Sequence, residues 1–329
     1  MDDRNNLIEL DTSQLIKEIP LFSQKHITEF MLHDRSLSKD RKGLESIIKT
    51  FIQKAPDVFV SLRIDVNILD IKMVQLLSQL YCSLEIPVEG TVKNDVLLFD
   101  KKLYSSKAKM LNDAGIVFGF DMCWACQKCD TFKAFRERLN FVLTLYPNHI
   151  DFPQLYDDVT PKCTGVYSSK DIDFTHGMAF ACQTFYSAGR AVPWFNTVLK
   201  PLKIEASAFF SDFEEWQQCN NCSYESGFNI ENTSYAEIEK MQLSFLLQKY
   251  EEKNRKSLFN AVKDLIKLNG AFSRVALEGE ESIVETSYNP DDILSPYALD
   301  LIKFCDNVTM ESCQVKVFAS SDSPDYRIL

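Results

Sequence analysis

Between residues 27 and 152 the chain alternates short apolar or β-branched runs with amphipathic segments, and this rhythm restricts its fold more than any single motif does. "ITEFMLHD" (27–34) reads as a strand, and "KDRKGLESIIKTFIQKAP" (39–56) as a helix with Leu44, Ile47, Ile48 and Phe51 on one face. The unit then repeats: "DVFVSLRID" is a strand and "ILDIKMVQLLSQLY" (68–81) a helix; "CSLEIPVEG" (82–90) is a strand and "YSSKAKMLNDAG" (104–115) a helix. Gly115 stands where that helix needs a left-handed cap. "IVFGFDM" is the next strand, followed by a helix "DTFKAFRERLNFVLTLYP" (130–147) with Asp130 as its N-cap, and by a final strand "HIDFPQL". Five strands and four intervening helices at this spacing call for parallel βαβ units with right-handed crossovers. An open doubly wound sheet and a partial barrel both satisfy the pattern.

Past residue 155 the text turns mainly helical. Helices are expected in "DFTHGMAFACQTFYSAG", "AVPWFNTVLKPL" and "EASAFFSDFEEWQQC", and across 234–270 with Ser234 and Glu237 as a capping box. Trp194, Phe195, Phe209, Phe210, Phe213 and Trp216 are spaced for helix packing and read as core. The tail alternates through "AFSRVALEG", "ESIVETSYNP", a helix "SPYALDLIKFC", "CQVKVFAS" and "DYRIL". The expected organisation is therefore an α/β chain: a partial parallel (β/α) barrel over 1–155, a helical region over 156–270, and a small α+β module over 271–329.

Composition narrows the function. A formal charge of −11 removes the basic footprint that nucleic acid attracts and sets the surface against anionic membrane, so the expected partners are small molecules or proteins. "MDDRNNLIEL" carries no basic segment followed by an apolar run, and no stretch of about 18 apolar residues occurs, so the reading expects a cytoplasmic protein. Ten cysteines in a reducing compartment are thiols, and clusters among them favour metal over cross-link. Cys123, Cys126 and Cys129 in "DMCWACQKCD" follow a strand, where three thiolates can hold an iron–sulfur cluster or, as the weaker alternative, three of zinc's four ligand positions. Their other reading is as thiols buried where the loop turns into the next helix. Cys219 and Cys222 form a lone C-x₂-C better read as helix-end thiols, and Cys82, Cys163, Cys182, Cys305 and Cys313 read as buried hydrophobes.

In a parallel barrel the carboxyl ends of the strands carry the ligand-binding groups. Here those positions hold His33 and Asp34, Arg63 and Asp65, then Glu85 and Glu89. Each has a structural alternative, since polar residues at strand ends also cap helices or pair with one another. His149 and His176 stand apart from any acid or cysteine motif and read as structural.

The wording of "EFMLHDRSLSKD", "DVFVSLRIDVNILD", "CSLEIPVEGT" and "LLFDKKLYSSKAKMLNDAGIVFGFDM" resembles the middle of a radical S-adenosylmethionine barrel of the cobalamin-binding type. "TFYSAGRAVPWFNTVLKPLKIEASAFFSDFEEW" resembles the region appended to that barrel. The resemblance implies a cofactor site for S-adenosylmethionine at His33, Asp34, Arg63, Asp65, Glu85 and Glu89, with the carboxylates meeting its amine or ribose hydroxyls. Two departures stand beside it. The family's C-x₃-C-x₂-C cluster motif precedes the segment matching "ITEFMLHD", yet the 26 residues ahead of that segment contain no cysteine and no cobalamin domain. The expected function is accordingly a radical-S-adenosylmethionine-like protein of unknown substrate, degenerate or acting with a protein partner that covers the open barrel edge. The alternative is an active enzyme with its iron–sulfur cluster on Cys123, Cys126 and Cys129.

Overall fold

Helix α1 (Thr12–Glu18) opens the part of the chain that the computed structural model describes, namely residues 11–94, 96–126, 129–155, 161–321 and 323–329. The Asp11 carboxylate caps α1 by accepting from the N–H groups of Ser13 and Gln14. Of the segment 7–22, whose apolar residues fall at helical intervals, residues 7–10 lie outside the described residues. The remainder leads to Phe22, whose ring packs 5.1 Å from Phe30 and 5.9 Å from Phe51. Strand β1 (Glu29–Leu32) follows, then α2 (Arg41–Lys54), capped by Asp40 and burying the four apolar residues that its periodicity marks, Leu44, Ile47, Ile48 and Phe51.

After β2 (Phe59–Arg63) the single helix expected over 68–81 is instead a short 3-10 turn, Val66–Ile68, and then α3 (Ile71–Leu77). Two aspartates cause the split. Asp65 accepts from the Asn67 N–H and Asp70 from the Met73 N–H, so each starts its own helical turn. Asp70 also receives both guanidinium arms of Arg41, at 2.7 and 3.0 Å, which ties α2 to the start of α3. Those bonds hold the Asp70 carboxyl well below the usual carboxylate range.

Strand β3 (Cys82–Pro87) leads into a hairpin absent from the sequence reading, β4 (Thr91–Lys93) with β5 (Val96–Leu98). Helix α4 (Lys101–Asp113) ends at Gly115, whose φ of +66° is the left-handed cap expected there. Strand β6 (Val117–Asp121) closes the first compact unit, which runs to Cys123.

The second unit begins at Trp124. Its first helix, α5 (Phe132–Leu143), is capped by the Thr131 hydroxyl, not by Asp130. Asp130 is withdrawn from capping because both its oxygens are held by Arg138, at 2.8 and 3.1 Å, in a buried bidentate pair. Strand β7 (His149–Asp151) follows, and the parallel sheet has the order β1-β2-β3-β6-β7. The strands follow chain order, as in the partial (β/α) barrel, one of the two arrangements that the rhythm allows.

Helix α6 (Ser169–Cys182) starts with a capping box between Ser168 and Asp171, then widens into a π-helical turn at Gln183–Ala188. That turn serves β7: the Ser187 hydroxyl accepts from the Ile150 N–H and donates to the Ile150 carbonyl, both at 3.0 Å, satisfying the strand's edge without another strand. Helices α7 (Phe195–Leu199) and α8 (Ala206–Cys219) precede α9 (Tyr235–Glu252) and α10 (Phe259–Glu278). The long helix expected over 234–270 is thus two, interrupted where Asn254 takes a φ of +54°. The run "AFSRVALEG", expected to open the alternating tail, is the last part of α10 and its cap. The aromatic run forms the core: Phe185 lies 4.9 Å from Phe209 and 5.0 Å from Phe213, and Phe245 lies 5.1 Å from Phe209. Each such ring, once buried, contributes about 1.5–3 kcal/mol.

Strand β8 (Ser282–Thr286), short helices α11 (Pro290–Ile293) and α12 (Leu301–Asn307), and strands β9 (Cys313–Ala319) and β10 (Pro324–Ile328) complete the chain. The three strands form an antiparallel sheet, β10-β9-β8, with Val315 and Val317 fully buried. Among the described residues no helix is long and apolar enough to cross a membrane.

Candidate functional site

The register of the parallel strands sorts their side chains into two unlike faces. Phe30, Leu32, Val60, Leu62, Leu84, Ile86, Phe118 and Phe120 share one face, which is apolar and largely buried. Ser61, Arg63, Ser83, Glu85, Gly119 and Asp121 share the other. A polar row of this kind, half or fully buried, is costly unless its members are bonded. The chain bonds them: Arg63 pairs with Asp121, with side-chain exposures of 15% and 8%, and His33 Nε2 lies 2.8 Å from Ser61 Oγ. Glu85 is buried beside Arg63 in register, while Ser83 Oγ has no hydrogen-bond partner among the described residues.

Beyond the carboxyl ends of β2 and β3 lies a cavity of about 510 Å³. Asp65, Asn67, Glu89, Thr91 and Asp100 supply polar lining, Lys39 stands at its edge, and Val66, Leu98, Phe99 and Leu103 form an apolar wall. Tyr104 shapes it, since its hydroxyl donates to the Pro87 carbonyl at 2.6 Å and accepts from the Glu89 N–H at 3.1 Å. The loop after β3 is thereby pinned to α4, and the β4–β5 hairpin springs from the pinned point. Gly90 permits it: a Cβ there would sit 2.6 Å from the Leu97 side chain. Three carboxylates face one ammonium, Lys39, which is 3.9 Å from Glu89. The local charge therefore opposes phosphate and suits hydroxyls, amines or a cationic centre.

The six strand-end residues divide accordingly. Asp65 and Glu89 line the cavity. Arg63 and Glu85 lie on the polar face of the sheet, with His33 bonded to that face through Ser61. Asp34 accepts from the Leu37 N–H at 2.7 Å and serves the local turn. Asp121, Ser61, Ser83, Asp100 and Tyr104 were not singled out from the sequence. A usable signal existed for three of them, because "FVSLR", "CSLEI" and "VFGFD" each place small or polar residues two apart on one face once the strands are aligned.

Cys123, Cys126 and Cys129 lie on the loop after β6, and their sulfurs do not gather within 4.8 Å of one another. The loop is held by other means. Gln154 reaches back to it, accepting from the Trp124 N–H at 2.8 Å and donating to the Trp124 carbonyl at 2.7 Å. Trp124 itself is fully buried, its ring 6.1 Å from Phe135 and 6.3 Å from His176. Burial lowers the His176 pKa below the ordinary histidine value, with Glu225 and Asp173 opposing. Cys222 is buried and Cys219 exposed, so that pair is split between environments. Among the isolated thiols Cys82 and Cys182 are buried as expected, and Cys163 is exposed.

No protein-family profile matches the chain, and no curated protein sequence matches it. Among solved structures it is similar to the radical S-adenosylmethionine methyltransferase TsrM from Kitasatospora setae with cobalamin and a 4Fe–4S cluster bound, at a TM-score of 0.37 and 8% identity over 44% of this chain and 31% of that one. The same enzyme with tryptophan substrate and a S-adenosylmethionine analogue bound gives a TM-score of 0.37 and 8% identity, over 44% and 30%. The chain thus spans less than a third of the structures it is similar to. Likeness at that level is remote and assigns no activity.

Proposed function

We propose that the first unit binds a phosphate-free nucleoside of the S-adenosylmethionine class, on a radical-S-adenosylmethionine-like partial barrel that acts as a binding scaffold, alone or with a protein partner. The observation that carries this reading is the 510 Å³ cavity beyond β2 and β3, with Asp65 and Glu89 on its polar side and Phe99 and Leu98 on its apolar one. Carboxylates suit ribose hydroxyls and the methionyl ammonium, and the apolar wall suits a base. The surplus of carboxylates suits a sulfonium. Calorimetric titration tests it: S-adenosylmethionine binds and ATP does not. Asp65→Asn with Glu89→Gln weakens binding by about tenfold or more. Equal affinity for ATP, or S-adenosylmethionine binding indifferent to that substitution and to Glu85→Gln with Glu89→Gln, discards the assignment.

A second reading places an iron–sulfur cluster, or zinc, on Cys123, Cys126 and Cys129, favoured by the presence of three cysteines in one loop after a parallel strand. A cluster would supply an electron to a bound S-adenosylmethionine. It would also require the three sulfurs to converge from their present separation and the Gln154 clasp on Trp124 to yield. Anaerobic incubation with iron and sulfide decides it: absorbance near about 400 nm that Cys126→Ser abolishes supports the cluster. A colourless, zinc-free protein removes it.

A further inference from the structure

The second unit carries a cavity of about 320 Å³ that the nucleoside reading does not use. Its walls are Phe180, Tyr224 and Phe228, with Leu155 and Ile230 beside them and Glu231 in the lining. Phe180 comes from α6 and is buried, whereas Tyr224 and Phe228 come from the polar loop between α8 and α9. Gly227 brings the loop's two rings to one side, because its φ of +74° reverses the chain there and its N–H donates to the Tyr224 carbonyl at 2.9 Å. Phe180 lies 5.7 Å from Tyr224 at 67° and 6.5 Å from Phe228 at 88°, so the rings stand as walls of a box instead of a stack. Tyr224 also packs edge-on against His176, their ring centres 4.2 Å apart.

Glu231, an exposed residue, has no counter-charge among the described residues. Among the described residues Glu231 makes no hydrogen bond and no ion pair, and neither does Glu225 nearby in the same loop. Aromatic faces set around a small void and a carboxylate without a cation describe the recognition chemistry of an organic ammonium: ring quadrupoles attract the diffuse positive charge, and the carboxylate supplies the long-range term. A neutral apolar ligand would fill the same walls but gain nothing from Glu231. A carboxylate or phosphate ligand would be repelled.

We propose that this aromatic box binds an alkylated ammonium group, quaternary or tertiary, with Phe180, Tyr224 and Phe228 around the cation and Glu231 as its counter-charge. The test uses the full chain, titrated by calorimetry and by proton NMR with choline and with its neutral carbon isostere, in which a tert-butyl group replaces the trimethylammonium. Choline binds, and the isostere binds about tenfold more weakly or worse. Glu231→Gln and, separately, Tyr224→Leu, a position 49% exposed, each weaken choline by about threefold or more while far-ultraviolet circular dichroism stays unchanged. S-adenosylmethionine affinity is unaltered in both variants, which separates this site from the one in the first unit. Isostere binding equal to choline binding, choline binding untouched by Glu231→Gln, or no choline binding up to concentrations on the order of 10 mM overturns the proposal.

Discussion

Removing one partner of the Arg63–Asp121 pair is the most informative single perturbation of the first unit. The two side chains come from β2 and β6 and meet on the polar sheet face with 15% and 8% of their surface exposed. Asp121→Asn keeps the shape and deletes the charge, leaving a guanidinium largely out of water with Glu85, its neighbour in register, as the remaining carboxylate on that face. Breaking a buried pair in this way costs about 3–5 kcal/mol, and the residual exposure of Arg63 places the expected loss near the lower end, about 3 kcal/mol. Replacing both members, Arg63→Met with Asp121→Leu, removes both charges of the pair while Glu85 stays, so the double variant regains part of the stability that Asp121→Asn loses. Urea denaturation followed by circular dichroism measures both, with separate transitions allowed for the two units. The double variant keeps S-adenosylmethionine affinity within about threefold if the ligand sits in the Asp65–Glu89 cavity, and loses it if the ligand sits on the polar sheet face. A single-variant loss under about 1 kcal/mol, or a double variant as unstable as the single one, refutes the view of this pair as a buried, desolvated element.

Further outcomes are open to measurement. Asp264 in α10 is fully buried, with one carboxylate oxygen accepting from the Ser287 and Tyr288 N–H groups and the other without a partner among the described residues. Burial raises its pKa to about 6. A raised folded value favours the protonated form, so this group's contribution is complete below the unfolded value and is lost as pH rises through about 6. Asp264 therefore contributes about 2 kcal/mol more stability at pH 4.5 than at pH 7.5, and the pH dependence of thermal melts differs between the parent and Asp264→Asn by that amount. Gln154→Ala releases the Trp124 backbone and speeds reaction of Cys126 with a thiol reagent by about tenfold; an unchanged rate shows that the clasp does not order the loop. Gly115→Ala forces an alanine to a φ of +66° and lowers stability by about 1–2 kcal/mol in denaturant titration.

What the sequence makes legible follows the range of the interaction. α2 is readable because Leu44, Ile47, Ile48 and Phe51 lie on one face and its cap is local, and Gly115 is readable because left-handed backbone names its own residue. Asp130 is misread because a short-range cap and a buried Arg138 compete for one carboxylate, and the longer-range bond wins. The stretch 234–270 reads as one helix because "EEKNRKS" is polar and helix-tolerant, so nothing local announces the left-handed Asn254. Strand residues Arg63 and Asp121 stand 58 positions apart and meet only through the β2-β3-β6 register, which no local pattern encodes. The cavity follows the same logic. Asp65 and Glu89 are foreseen as strand-end polar groups, but Asp100 and Tyr104 come from a helix positioned by a hairpin whose strands are three residues each. The cysteine loop is legible as a set of thiols, and its geometry is not, because Gln154 and the burial of Trp124 decide where the sulfurs lie.

Hydrogen–deuterium exchange of the full chain with and without S-adenosylmethionine tests the central claim most directly. Slowed exchange confined to 65–68, 87–91 and 98–104 is the predicted result, since those backbone segments wall the cavity beyond β2 and β3. Unchanged exchange there at saturating ligand, or protection appearing only beyond residue 124, contradicts it.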